Sequence, residues 1–199
     1  MSPHASPLSQ QTTKAALRRA ALEQRAAISP DRQSQFAAHL AREGLQLARA
    51  RPGVKAVSLY HPIRHEADCL PLLQALHQAG FITALPVVVE GKRPLRFLQW
   101  APGEALIRSP MGLNEPDQTR SEIKPDVLFI PLAAFDRKGH RLGYGRGHFD
   151  ASLEKARSEG KVLAVGIAYA CQEIPSVPIS AHDQKLDFVI TESETLDFG

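Results

Sequence analysis

The sequence predicts an α/β fold, with an open, mostly parallel sheet flanked by helices in three Rossmann-like layers and a helical pair at the N-terminus. From residue 54 onward, short and nearly continuous apolar runs alternate with helix-like segments, as in strand, crossover helix and parallel strand units. Before that point, the chain consists of long stretches of strong helix formers. A chain of 199 residues with 43% hydrophobic content can also bury a substantial core.

The first helix is expected to follow a flexible tail. Residues 1–9 are rich in Ser and Pro, so we predict a loose tail there and a single domain over residues 10–199. Alanine and leucine recur at helical spacing from Thr12 to Ala27, which predicts a helix with one apolar face. Three basic side chains of this segment lie off that face: Lys14, Arg18 and Arg25.

Start and stop signals bound a second helix. Ser29 can cap its N-terminus, Pro30 suits its first turn, and Asp31 favours the positive end of the helix dipole. The sequence Arg-Pro-Gly at 51–53 is expected to end this helix.

The remaining elements are predicted from the apolar runs. The predicted strands are residues 54–62, 81–89, 95–100, 125–136, 161–170 and 187–191. A helix is expected over 69–80, between the first two strands, and the strand at 95–100 is expected to pair antiparallel with its predecessor. Residues 101–124 contain enough Pro and Gly to be mostly loop.

Charge and cysteine content limit the possible functions. The net charge is only +3 and the cations are spread along the chain, which favours a small anionic ligand over nucleic acid. Cys69 and Cys171 match no metal-binding spacing, which predicts reduced thiols in a cytoplasmic protein. No apolar run approaches the ~20 residues of a membrane span, so we expect a soluble monomer without a membrane partner.

A glycine-rich loop between a predicted strand and a predicted helix is the strongest candidate site. Its glycines and cations are Gly139, Gly143, Gly145 and Gly147, with Arg137, Lys138, His140, Arg141 and Arg146. Glycine lets successive backbone N–H groups approach phosphate oxygens, and arginine neutralises their charge. The loop matches neither a Walker motif nor a dinucleotide fingerprint. A flexible connector with solvated arginines is the alternative.

Four stretches resemble the 5-formyltetrahydrofolate cyclo-ligase family, also called methenyltetrahydrofolate synthetases. They are "KAALR" (14–18), "SLYHPIRHEADCLPLL" (58–73), "FDRKGHRLGYGRGHFD" (135–150) and "HDQKLDFVITE" (182–192). The third is similar to the family's loop R-L-G-Y-G-K-G-Y-Y-D, and the stretches follow the family's order along nearly the whole chain. The resemblance implies a compact α/β fold and the ATP- and Mg²⁺-dependent conversion of 5-formyltetrahydrofolate to 5,10-methenyltetrahydrofolate, with release of ADP and phosphate.

The resemblance assigns most candidate residues to ATP. These residues are Lys14, Arg18, Arg141, Leu142, Gly143, Tyr144, Gly145, Arg146, Gly147, His148 and Phe149. Arg146 is the candidate catalytic residue, because the reaction transfers a phosphoryl group to the formyl oxygen and needs positive charge there. Without the resemblance, Lys14 and Arg18 would be read as a solvated helix face.

Further residues are assigned to the folate and to the metal. Glu66 is expected to accept two N–H bonds from the pterin, and Tyr60 and His148 are expected to contact the same substrate. Asp150 is expected to bind Mg²⁺ together with Asp187 or, as the alternative, Asp183.

The loop departs from the family pattern at three positions. His148 and Phe149 replace paired tyrosines, and Arg146 replaces the lysine that the family often has. A site without those hydroxyl groups could have drifted in substrate or activity. The competing functions are therefore a non-catalytic nucleotide- or folate-binding protein of the same fold and an RNA-binding module; the modest charge and 6% aromatic content disfavour the latter.

Overall fold

Four α-helices form where the sequence places helix formers and caps. The computed structural model describes residues 7–89 and 94–199. The helices are α1 (Pro7–Ala26), α2 (Pro30–Arg49), α3 (Leu70–Gln78) and α4 (His148–Glu159), with a 3-10 helix at Ala170–Gln172. Within these residues no helix combines the length and apolar character needed to cross a membrane.

The boundaries of the first two helices test the N-terminal prediction. Helix α1 begins at Pro7 rather than Thr12, so residues 7–9 of the predicted tail are helical, while residues 1–6 lie outside the described residues. Proline fits this position because its fixed φ suits a first helical turn. The cap of α2 is confirmed, since the Ser29 hydroxyl accepts a hydrogen bond from the Arg32 N–H at 3.5 Å.

Seven strands form one sheet, mostly parallel. They are β1 (Ala56–Ser58), β2 (Ile82–Val87), β3 (Arg96–Gln99), β6 (Val127–Pro131), β9 (Leu163–Ile167), β10 (Phe188–Ile190) and β11 (Thr195–Asp197). Their order is β11-β10-β9-β6-β1-β2-β3. The five central strands are parallel, and the edge strands β3 and β11 pair antiparallel with their neighbours.

The strand order reverses beside β1. From β1 the chain passes to β2 on one side, and then returns to β6 on the other side and continues to β9 and β10. In open α/β sheets, ligands bind outside the carboxyl ends of the strands at such a switch point. The topology therefore directs attention to the segments that follow β1 and β6.

Side chains of the central strands alternate between two apolar layers. On β6, Phe129 packs with Leu40 of α2 and Leu72 of α3, whereas the next residue, Ile130, packs with Leu153 of α4. This alternation has the period of two that strands require. The predicted three-layer α/β fold with a mostly parallel sheet is thus confirmed.

The predicted strand at 125–136 is wrong in its length. Strand β6 ends at Pro131, and β7 (Ala134–Phe135) instead forms a separate antiparallel hairpin with β8 (Arg141–Leu142). Proline has no N–H to continue a ladder. The hairpin turn is closed by the buried carboxylate of Asp136, which accepts hydrogen bonds from the N–H groups of Lys138 and His140.

Helix α1 packs on this hairpin rather than on the sheet. Ala21 of α1 clusters with Ala134, Leu142 and Val177. The helix therefore lies beside the loop that follows β8, which decides where its basic side chains reach.

Short antiparallel pairs were not predicted. Residues 101–124 are mostly irregular, as expected, but contain the hairpin of β4 (Ile107–Arg108) and β5 (Asn114–Glu115). Strand β11 was also missed. Strands β4 and β5 have two residues each and β11 has three, and no longer apolar run marks them in the sequence.

Gly139, which the sequence grouped with the ligand loop, supports the hairpin. Its φ is +80°, and a Cβ there would lie 3.0 Å from the Leu186 carbonyl oxygen and 3.0 Å from the Phe198 ring. We expect Gly139→Ala to lower the free energy of unfolding by about 1–3 kcal/mol, because both the backbone conformation and the contact are strained. Urea denaturation measures this change.

Gly160→Ala is the matched control. Gly160 has an extended φ of 168°, and a Cβ added there would meet no atom within 4 Å. Its substitution should change the unfolding free energy by less than about 0.5 kcal/mol. Equal effects of the two substitutions would contradict the structural role of Gly139.

Candidate active site

A cleft opens at the carboxyl ends of the parallel strands, where the strand order predicts a ligand site. Its volume is about 420 Å³. Its walls come from the segments around the ends of β1, β2 and β6, from the β4–β5 hairpin, and from the loop between β8 and α4. The charged residues that line it are Arg25, Arg64, Glu66, Glu115, Arg141, Arg146 and Asp150.

The loop between β8 and α4 uses glycine at two left-handed positions. Gly145 has a φ of +95° and Gly147 a φ of +67°. Gly147 is the N-cap of α4, so the backbone N–H groups of the first helical turn are presented beside the cleft. These N–H groups and the positive end of the helix dipole suit a phosphate group.

Most of the predicted loop residues line the cleft. They are Arg141, Gly143, Tyr144, Arg146, Gly147, His148 and Phe149. Leu142 is instead buried in the apolar cluster under α1. Arg146 is exposed, and it makes no hydrogen bond or ion pair with any residue that the structure describes. It is therefore available to a ligand.

Helix α1 turns its cations toward the loop. The Arg18 Nε donates to the Gly143 carbonyl at 2.7 Å. Lys14 Nζ lies 2.7 Å from an Asp183 carboxylate oxygen. Neither side chain lines the cleft, so in this structure the two residues predicted to bind phosphates hold the loop and a neighbouring acid.

Arg25 is a site residue that the sequence analysis did not assign. It is only 4% exposed yet lines the cleft, and its Nη1 donates to the Tyr144 hydroxyl at 2.7 Å. The signal was present, because Lys14, Arg18 and Arg25 are four and seven residues apart, which places them on one face of a helix.

Asp150 is paired with a buried arginine. Its Oδ1 lies 2.6 Å from Nη2 of Arg141 and also accepts a hydrogen bond from the Gln184 N–H at 3.1 Å. Arg141 also donates to the Gln184 carbonyl. Burial lowers the pKa of Arg141, and the charges of Asp150 and Asp183 oppose that shift. Asp150 lies in the first turn of α4 and is not its cap.

The structure brings Asp183, rather than Asp187, toward Asp150. Asp183 adjoins Gln184, whose N–H is bound to Asp150. Asp187 precedes β10, at the amino end of that strand, and its carboxylate accepts hydrogen bonds from the Ala164 N–H at 2.7 Å and from Arg157 at 3.1 Å. The two residues are therefore held at different ends of the sheet, and this placement favours Asp183, the alternative, over Asp187 as the partner of Asp150.

Glu66 lies at the folate position that the resemblance implies. Its carboxylate lines the cleft and accepts a hydrogen bond from the Ile63 N–H at 3.0 Å. Burial raises its pKa, and a hydrogen bond from Tyr144 opposes that shift. The residue precedes α3 and does not belong to the helix.

The other predicted folate contacts also border the cleft. Tyr60 follows β1, is 4% exposed, and donates from its hydroxyl to the Ala67 carbonyl at 2.9 Å. That bond fixes the ring as part of the cleft wall. His148 and Phe149 begin α4, and Phe149 also packs against the apolar layer below the helix.

One wall comes from a stretch whose role the sequence did not reveal. Within residues 101–124, the lining residues are Met111, Leu113, Asn114 and Glu115. Glu115 is 5% exposed and accepts a hydrogen bond from the Val88 N–H at 3.1 Å, and burial raises its pKa. An acid in so short a strand carries no sequence signal of its own, because only the fold brings it beside the end of β2.

A metal ion fits this site only with help from a ligand. Among the described residues, no group of three or more His, Cys, Asp or Glu side chains could hold a metal. Asp150 and the neighbouring Asp183 would supply two carboxylates. Mg²⁺ commonly takes one or two carboxylates and completes its shell with substrate phosphates and water. The residues present therefore fit Mg²⁺ bound together with a nucleotide.

Comparisons with known proteins identify the family. A model of the 5-formyltetrahydrofolate cyclo-ligase family matches residues 10–192. The chain is 31% identical over 167 residues to a 5-formyltetrahydrofolate cyclo-ligase of Haemophilus influenzae, covering 81% of this chain and 88% of the relative. It is 30% identical over 183 residues to the Escherichia coli K12 enzyme of the same name, covering 88% and 98%.

Solved structures show the same fold. The NMR structure of Aquifex aeolicus 5,10-methenyltetrahydrofolate synthetase superposes with a TM-score of 0.72 at 26% identity, covering 93% of this chain and 92% of the other. A Mycoplasma pneumoniae 5,10-methenyltetrahydrofolate synthetase gives a TM-score of 0.70 at 24% identity, covering 89% and 97%. The chain belongs to the 5-formyltetrahydrofolate cyclo-ligase family.

Proposed function

We propose that this protein is a 5-formyltetrahydrofolate cyclo-ligase, which uses ATP and Mg²⁺ to convert 5-formyltetrahydrofolate to 5,10-methenyltetrahydrofolate. The observation that carries the proposal is one cleft that joins a glycine loop at a helix N-terminus to a half-buried carboxylate, Glu66. The first feature suits phosphates and the second suits the N–H groups of a pterin.

ATP is proposed to bind at the β8–α4 loop. The N–H groups at the start of α4 would bind phosphate oxygens, and Arg146 would add a positive charge. Lys14 and Arg18 support this region, and a nucleotide that reaches them would compete for Lys14 with Asp183.

The folate is proposed to occupy the rest of the cleft. Glu66 would accept N–H bonds from the pterin, while Tyr60 and Phe149 offer aromatic surface and His148 a polar edge. Exposed Ile63 and Met111 at the cleft provide apolar surface for the aromatic ring that follows the pterin.

The chemistry requires activation of the formyl oxygen. That oxygen takes the terminal phosphoryl group of ATP, and ADP leaves. The folate N10 then bonds to the formyl carbon and loses its proton, and cleavage of the carbon–oxygen bond releases phosphate. The protein's part is to hold the two substrates in line and to stabilise negative charge, so it needs no side-chain nucleophile.

Asp150 and Asp183 are proposed to hold Mg²⁺ with the phosphates. The ion would neutralise charge on the transferred group.

Two free cysteines, Cys69 and Cys171, support a cytoplasmic location with reduced thiols.

The proposal is tested by mixing purified protein with MgATP and 5-formyltetrahydrofolate. We expect methenyl absorbance to appear with one ADP formed for each ring closed. Binding of both ligands without turnover would favour the alternative, a non-catalytic binding protein of the same fold. Failure to bind the folate would reject the proposal.

The metal assignment predicts that substitutions of Asp183 and Asp187, the two candidate partners of Asp150, have different effects. Asp150→Asn and Asp183→Asn should each raise the Mg²⁺ concentration needed for half-maximal rate by about tenfold or more, since each removes a charged ligand. Asp187→Asn should leave that concentration within about twofold, because Asp187 is engaged by Ala164 and Arg157. Rates measured against Mg²⁺ at saturating ATP decide between them, and a shifted Mg²⁺ dependence in Asp187→Asn would contradict the assignment.

Arg146 is predicted to stabilise the transferring phosphoryl group. Arg146→Ala should lower kcat by on the order of 100-fold, and Arg146→Lys should retain much of the rate because positive charge matters more than fork geometry. Arg137→Ala is the matched control, since Arg137 is an exposed arginine in the turn between β7 and β8, outside the β8–α4 loop, and is paired with Glu173 and Glu194. A parent-like kcat with only a higher KM for ATP in Arg146→Ala would make Arg146 a ground-state tether.

A further inference from the structure

A buried arginine, a tyrosine and a carboxylate meet in the cleft. Arg25 donates from Nη1 to the Tyr144 hydroxyl at 2.7 Å and to the Leu132 carbonyl at 3.4 Å. Its guanidinium carbon lies 5.8 Å from the centre of the Tyr144 ring. Its Nε is buried without a hydrogen-bond partner among the described residues. Burying such a charge is costly, so a specific partner is expected.

The hydrogen-bonding capacities of Arg25, Tyr144 and Glu66 decide which side chain donates and which accepts. Arginine can only donate hydrogen bonds, so the Tyr144 oxygen accepts from Arg25. The single hydroxyl hydrogen of Tyr144 then remains for another acceptor, and the Glu66 carboxylate, which lines the same cleft, is the acidic group whose pKa the Tyr144 hydroxyl lowers. The result is a chain that runs from a cation through a hydroxyl to an anion, and each bond in it polarises the next.

We propose that Arg25 is a positioning residue of the folate site, which aims the Tyr144 hydroxyl at Glu66 and so keeps the Glu66 carboxylate oriented toward the pterin. This inference rests on the proposed function. Arg25 acts through Tyr144 and need not touch the substrate itself.

The electrostatics around Glu66 support this role. Its charged and titratable surroundings are Arg25, Tyr60, Arg64, Cys69 and Tyr144. Burial raises the pKa of Glu66, while the Tyr144 hydrogen bond, the Ile63 N–H and the charges of Arg25 and Arg64 lower it. Tyr60 and Cys69 have raised pKa values and stay neutral near pH 7. Loss of Arg25 removes one of the two cations and the donor that orients Tyr144, so the pKa of Glu66 should rise.

The same contact ties the two halves of the cleft together. Tyr144 lies between Gly143 and Gly145 in the loop proposed for ATP, and Arg18 binds the Gly143 carbonyl. Helix α1 thus holds the loop at two adjacent residues. The loop conformation proposed to bind phosphate is also the one that places the Tyr144 hydroxyl at Glu66.

A purely structural role for Arg25 makes a different prediction. If Arg25 only satisfied the Leu132 carbonyl, its loss would lower stability and weaken both ligands alike. If it orients Tyr144, its loss should act on the folate and depend on pH, because binding needs ionised Glu66.

The test compares Arg25→Gln and Tyr144→Phe with the parent protein. Dissociation constants for 5-formyltetrahydrofolate and, separately, for MgATP are measured by titration calorimetry from about pH 5 to pH 8. In both variants we expect folate affinity near neutral pH to fall by about ten- to a hundredfold. The pH below which folate binding weakens should move upward, because a raised Glu66 pKa leaves more of the carboxyl protonated. MgATP affinity should fall much less than folate affinity, because the Arg18 bond to the Gly143 carbonyl still holds the loop backbone in both variants.

Two further variants test whether Glu66 causes the pH dependence and whether the effect is specific to Arg25. Glu66→Gln should remove this acid-side weakening, since no carboxyl remains to titrate at that position. Arg19→Gln is the matched control, because Arg19 is an exposed arginine of the same helix, and it should bind both ligands as the parent does.

The outcomes separate this inference from the proposed function. A parent protein that does not bind 5-formyltetrahydrofolate would overturn both. A parent that binds it, with Arg25→Gln and Tyr144→Phe that keep the parent's pH dependence or lose both ligands equally, would overturn the role of Arg25 alone.

Discussion

The buried carboxylate of Asp136 is the interaction on which the cleft depends. It is fully buried and accepts hydrogen bonds from the N–H groups of Lys138 and His140 across the hairpin turn, and from Val177 in a distant segment. Burial alone would raise the pKa of Asp136, but these donors hold it below its ordinary value. The ionised group therefore locks the β7–β8 hairpin, and with it the point at which the ligand loop begins.

The β7–β8 hairpin contacts or continues into the elements that carry the proposed site residues. Its apolar side receives α1, whose Arg18 and Arg25 then reach the residues Gly143 and Tyr144 of the loop. Its last strand carries Arg141, which is bound to Asp150 in the first turn of α4. The loop is thus anchored before and after its glycines, so the left-handed residues between those anchors are held in place by contacts outside the loop itself.

The charges of the site are largely compensated within the protein. Arg141 is paired with Asp150, and Lys14 with Asp183. A nucleotide with its metal would replace both pairings at once, since phosphate can take the cations while the ion takes the acids. Exchange of this kind avoids leaving a buried charge without a partner, which would be far more costly than either pairing.

The replacement of two family tyrosines takes on a physical meaning in this setting. Phe149 packs partly into the layer beneath α4, where a phenyl ring loses nothing by lacking a hydroxyl. His148 remains at the cleft with a polar ring. The hydroxyl groups of Tyr60 and Tyr144 are the phenolic groups that the described cleft retains, and both are already hydrogen-bonded.

The sequence by itself determined the fold class, the parallel strands, the capped second helix and the glycine loop, because periodicity and turn chemistry are local properties. It also determined the family, since the motifs carry that information in order along the chain. Only the tertiary structure decided that residues 125–136 divide into a strand and a hairpin, that Gln184, next to Asp183, is bound to Asp150 whereas Asp187 is held at the amino end of β10, and that Arg25 and Glu115 line the cleft. Each of these depends on contacts between segments that are far apart in sequence. Such contacts follow from strand order and helix packing, and a local sequence pattern contains no information about either.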